Sequence, residues 1–194
     1  MLRISVFFLI LFTADAGFNH MISQIHREEG DSSLGPYTLA MFNGSYMIMS
    51  LFISRFKGIP EKWQVTFASL AYCTLYFSGV IVSDRKTVWV KYLISGTAAA
   101  INGIGGSFLW VGLGSYIHKT AHLFNQTSRK GKFYGLFSMI ISFCAVGAGT
   151  IVTVGLPHLR HWVYFLLVFF VGLSAFFYGL FFVKDLSKIE VRDN

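Results

Sequence analysis

Six apolar stretches, each fenced by charge, glycine or proline, fill almost the whole chain. They run from Leu2 to Ile25, Tyr37 to Ser54, Trp63 to Ser83, Val88 to Ile117, Phe133 to Leu156 and Trp162 to Val183. A hydrocarbon core about 30 Å thick takes roughly 20 residues of helix, so these lengths predict six transmembrane helices in an all-α integral membrane protein. Backbone N–H and C=O groups have no water partners at that depth, and a barrel would show short alternating segments instead of long apolar runs. The expectation is one transmembrane domain, residues 1–194, with short connections and one longer basic cytoplasmic loop over 118–132.

The spans differ in character. The sixth, from Trp162 to Val183, is apolar on every face and reads as peripheral. The fourth lines up Gly96, Ala99, Gly103, Gly106 or Ser107, and Gly114, a spacing that lets a neighbouring backbone approach closely. It should be central. Gly131, Gly135, Gly147 and Gly149 offer a second set of close-approach points in the fifth. Three of the four tryptophans, Trp63, Trp89 and Trp162, open a span, where an amphipathic ring prefers the headgroup layer, while Trp110 sits deep.

Charge adds topology. The chain carries 16 lysines and arginines against 9 acids, a net +7, and only 13% of its residues are charged. The basic residues sort by loop. Eleven fall on the side of Arg3, Arg55 and Lys62 and five on the side of Arg27 and Arg85, so the rule that basic loops stay inside puts both termini in the cytoplasm. The charge therefore points to the lipid bilayer and not to nucleic acid. Arg55, Lys57, Arg129, Lys130 and Lys132 are the candidates for gating or for contact with anionic lipid. Of two glycosylation sequons, Asn43-Gly44-Ser45 lies inside the second span and Asn125-Gln126-Thr127 in the cytoplasmic loop, so neither is expected to carry sugar. Met1-Leu2-Arg3, an apolar run to Phe12 and Ala14-Asp15-Ala16 also fit a cleavable signal peptide. The apolar character continuing through Phe18, Met21, Ile22 and Ile25 favours a retained span.

Candidate chemistry is sparse. Asp15 is the sole acid within a span, where a charge costs about 2.5 to 3.5 kcal/mol on insertion scales, so it should face the bundle interior. Asn19 follows on the same face, and His20 and Gln24 continue the stripe. Asn43 in the second span, and Asn102, Ser107 and Trp110 in the fourth, are placed to meet it. The set Asp15, Asn19, Asn43, Asn102 and Trp110 is thus the expected site for substrate or ion. Interhelical hydrogen bonding that merely holds the bundle together is the competing reading. Cys73 and Cys144 lie in separate spans and read as packing residues. His118 with His122, and His158 with His161, have ligand-like spacing but sit at span ends, so no metal site is expected. No nucleophile elbow, phosphate loop, HExxH or paired carboxylates occur, so neither an enzyme nor a cofactor is indicated.

Several motifs in order carry a resemblance. Leu34-Gly35-Pro36-Tyr37-Thr38-Leu39-Ala40, Gly58-Ile59-Pro60-Glu61-Lys62-Trp63 with Tyr72 and Tyr76, Gly103-Ile104-Gly105-Gly106 with Leu109-Trp110, and Gly131-Lys132-Phe133-Tyr134-Gly135 resemble the uncoordinated-93-like family, a branch of the major facilitator superfamily. That resemblance implies the N-terminal six-helix half of a twelve-helix transporter, with helices one, two, four and five around the central cavity and helices three and six outside. Ser54-Arg55-Phe56-Lys57-Gly58 keeps the basic residues of the superfamily's gating signature without its aspartate. A homodimer or a second transmembrane half would complete the cavity, and the function implied is movement of a small solute. The alternative implied is an accessory protein that regulates an ion channel or the trafficking of another membrane protein.

Overall fold

The computed structural model describes residues 2–28, 33–56, 58–83, 87–123, 130–155 and 159–186. Six helices occupy them: α1 (Leu2–Glu28), α2 (Leu34–Phe52), α3 (Glu61–Ser83), α4 (Val88–Leu123), α5 (Lys130–Gly155) and α6 (His161–Phe182). A 3-10 turn, Ile53–Phe56, continues α2. Four of the helices, α1 over Leu2–Asn19, α3, α5 over Lys130–Thr150 and α6, are long and apolar enough to cross a membrane. The other two have the length, but glycine, serine, threonine and asparagine dilute their apolarity. That dilution has a packing reason.

Lipid tails are as apolar as leucine, so helices in a bilayer associate through close packing and interhelical hydrogen bonds. α4 lies between α2 and α3. A Cβ at Gly103 would overlap the Ser45 side chain and the Phe42 carbonyl of α2, and one at Gly105 would overlap Ala71 of α3. Adjacent small residues of one helix thus admit two neighbours on opposite faces. Ser107 adds a polar clasp, donating to the Tyr46 carbonyl at 2.9 Å and lying 3.2 Å from the Ser50 hydroxyl. α4 holds the central position that its small residues predict.

From α3 the packing continues to α6, from α6 to α1, and from α1 to α5. Phe7, Phe8, Leu11 and Phe18 of α1 are buried with Tyr72 and Tyr76 of α3 and Tyr164 and Phe165 of α6. α6 exposes most of its surface, and it buries one stripe, Tyr164, Phe165, Val168, Gly172, Ala175 and Gly179. Of the four long apolar helices α3 is the most buried, at 61% of its apolar 18-residue window, because α4 and α6 flank it, while α5 is the least, at 11%.

Two further expectations need correction. The connection over 118–132 is shorter than the apolar pattern implies, because α4 runs on to Leu123 and α5 starts at Lys130. Beyond the apolar stretch the helix is held by tertiary contacts: Ile117, Thr120 and Ala121 are buried, and Lys119 pairs with Glu61 of α3 at 3.0 Å. The glycines of α5 also behave differently from those of α4. A Cβ at Gly131, Gly135 or Gly149 would meet nothing within 4 Å, and only Gly147 approaches a neighbour, Thr13 of α1. α5 meets α1 along a different stripe, through residues such as Phe137 and Ala148.

One end of the bundle gathers basic side chains. Arg3 donates to the Phe182 carbonyl at 3.3 Å and Lys62 to the Leu180 carbonyl at 2.9 Å, so two cations satisfy orphan carbonyls at the end of α6. Lys119 and Lys130 lie at the same end, the latter 2.8 Å from His118 Nδ1. All belong to the group of eleven that the charge pattern assigns to one side of the membrane.

Candidate solute-binding cavity

α1 and α2 scarcely touch, and a cavity of about 720 Å3 opens between α1, α2, α3 and α4. α1 gives it Phe12, Asp15, Phe18, Asn19 and Ile22, a set repeating at helical spacings of three and four that puts them on one face. Leu39 and Phe42 come from α2, Tyr72 and Leu75 from α3, and Ala99, Asn102 and Trp110 from α4. Four of the five expected site residues, Asp15, Asn19, Asn102 and Trp110, therefore line one space. Asn43 does not. It sits at the edge of the lining face of α2, exposed, with its amide donating to the Leu39 carbonyl one turn earlier at 2.9 Å.

Asp15 is half-buried, and its donors are neutral. Asn19 Nδ2 donates to Asp15 Oδ2 at 3.2 Å. The Tyr76 hydroxyl of α3 lies beside the same carboxyl and donates to the Leu11 carbonyl at 3.4 Å. Asn102, at 2% exposure, is different: its side-chain oxygen has no hydrogen-bond partner. A buried acceptor left unsatisfied costs about 1–3 kcal/mol, which a donor from a ligand or a water would offset.

Aromatic rings make up much of the wall. Trp110 stands 5.6 Å from Phe12, which stands 6.3 Å from Tyr72. Trp110 remains 41% exposed despite its place deep in the sequence of α4, because its outer side faces the cavity. Tyr72 and Tyr76, one turn apart on α3, carry hydroxyls to the site that span periodicity does not single out. Their phenolic ends inside an apolar helix are the one local signal.

Several expected residues lie elsewhere. Ser107 engages α2 instead of the Asp15 stripe. Arg55 is exposed, its guanidinium 5.4 Å over the Phe52 ring, and Lys132 is exposed on the first turn of α5. Lys57 and Arg129, and the side chains of His20 and Gln24, lie outside the described residues. So does the Asn125 sequon. α5, which the resemblance places on the central cavity, contributes no described residue to this one.

Comparison with known proteins bears on the motifs. The chain is 26% identical over 155 residues to "Protein unc-93 homolog A" of Xenopus laevis, covering 75% of this chain and 31% of that protein. It is similarly 25% identical over 153 residues to the Danio rerio homolog and 26% over 153 residues to that of Bos taurus. These matches support an UNC-93-like family. The chain spans about 31% of the length of the Xenopus relative. No family model and no solved structure matches it. Together the apolar helices and these relatives mark an integral, multi-pass membrane protein.

Proposed function

We propose that this UNC-93-like chain threads the membrane six times, with both termini cytoplasmic, and forms half of a solute-moving assembly of the major facilitator type. A second copy, or a separate half, would supply the opposite wall of a central pathway. The cavity between α1, α2, α3 and α4 carries this reading, because it draws the one intramembrane acid and an unsatisfied buried amide to the same space. Such residues cost energy in lipid, and a pathway for solute gives them a use. The relatives are about two and a half times as long, which leaves room in them for a further bundle.

A second reading has its own support. α2 and α5 expose broad apolar faces, among them Met47, Ile48 and Leu51 on the first and Met139, Phe143 and Val146 on the second. These suit an accessory role in which another membrane protein covers them and nothing is transported. Proteoliposomes separate the two. Uptake measured across a solute panel is expected with the wild type, and Asp15→Asn should lower it at least tenfold. Wild-type vesicles that take up nothing would favour the accessory role, and unchanged uptake by the variant would remove Asp15 from the mechanism.

A further inference from the structure

Resting on the solute-binding reading above, we propose that the cavity takes an amphipathic organic cation, a protonated amine on an apolar body. The Asp15 carboxylate would take the charge and the Asn102 side-chain oxygen a further N–H, with the body lying against Phe12, Phe42 and Trp110.

The chemistry of the lining selects this class. Among the described lining residues Asp15 is the one acid, and none is basic. An anion would meet repulsion with no compensating cation. Asp15 receives a hydrogen bond from the neutral Asn19 amide and has the neutral Tyr76 hydroxyl beside it, so its charge is left for a ligand, and a carboxylate has about four lone-pair sites. The second polar anchor is an acceptor as well. Asn102 Oδ1 is buried and unpartnered, and it asks for a donor. Two acceptors from different helices call for a ligand rich in N–H, which a primary or secondary ammonium is.

The rest of the wall selects the body. Phe12, Phe18, Phe42, Tyr72 and Trp110 present apolar rings whose faces also attract cations. A bare divalent metal is a poor fit, because calcium takes six to eight oxygen ligands and this lining is mostly carbon. The volume of about 720 Å3 lies within the range of small-molecule sites.

The test compares ring-matched probes on the full chain in lipid nanodiscs. Radiolabelled 1-naphthylmethylamine, 1-naphthylmethanol and 1-naphthoate are equilibrated with the protein at neutral pH. The amine is expected to bind at least tenfold more tightly than the alcohol or the acid. Asp15→Asn should bring the amine to the level of the alcohol, Asp15→Glu should keep the preference, and Asn102→Leu should weaken the amine at least threefold. Equal or tighter binding of the alcohol or the acid would overturn the cation assignment while leaving a solute cavity in place. Failure of all three probes on a helical, monodisperse particle would overturn both. The comparison on wild type decides the matter even where a variant does not fold.

Discussion

Gly103 and Gly131 show how differently one residue type can act in this chain. At Gly103 a methyl group would run into Ser45 and the Phe42 carbonyl, whereas at Gly131 it would meet nothing. Gly103→Ala is therefore expected to lower stability by about 1–3 kcal/mol, the usual cost of overpacking. Gly131→Ala should stay within about 0.5 kcal/mol of wild type. Reversible unfolding in mixed micelles measures both, and equal effects would contradict the packing described for α4. Both glycines stand in small-residue patterns that look alike in sequence, since periodicity tells which residues share a face but not whether another helix lies against it. Asp15 and Asn19 were legible for the converse reason: a spacing of four suffices to put them side by side, and they are hydrogen-bonded. Whether Asn102 would join them, and whether Asn43 would turn back on its own helix, depended on how α2 and α4 are rotated.

At the scale of elements, the apolar stretches located all six helices, and charge and proline marked most of their ends. They did not foresee that α4 continues to Leu123, because Lys119, Thr120 and His122 interrupt the apolar run and Lys119 is held by Glu61 from another helix. Nor did they foresee the burial of α3, whose environment is set by which helices flank it. α1 carries the most consequence. Ile4, Phe7, Phe8, Leu11 and Ala14 are each at most 1% exposed, packed into the shared core. Removing residues 1–16, as cleavage of a signal peptide would, takes those five side chains and Asp15 away together. The shortened chain is expected to lose its monodisperse peak in detergent chromatography. A well-behaved particle from it would show that α1 is dispensable to the bundle.

For the whole molecule, cationic side chains gather where α1, α3 and α5 begin and α4 and α6 end. If that end is cytoplasmic, Asn125 is out of reach of luminal glycosylation. Expression in a glycosylating host should leave the mass unchanged on enzymatic deglycosylation, and a glycan on Asn125 would invert the assigned orientation. The central claim, that the space around Asp15 and Asn102 is a solute path and not a sealed packing defect, has a more direct test. With Cys73 and Cys144 replaced by serine, a cysteine introduced by Asn102→Cys is exposed in proteoliposomes to a membrane-impermeant thiol reagent, first from outside and then from within. The account predicts modification from both faces; a thiol reached from one face alone, or from neither, would contradict it.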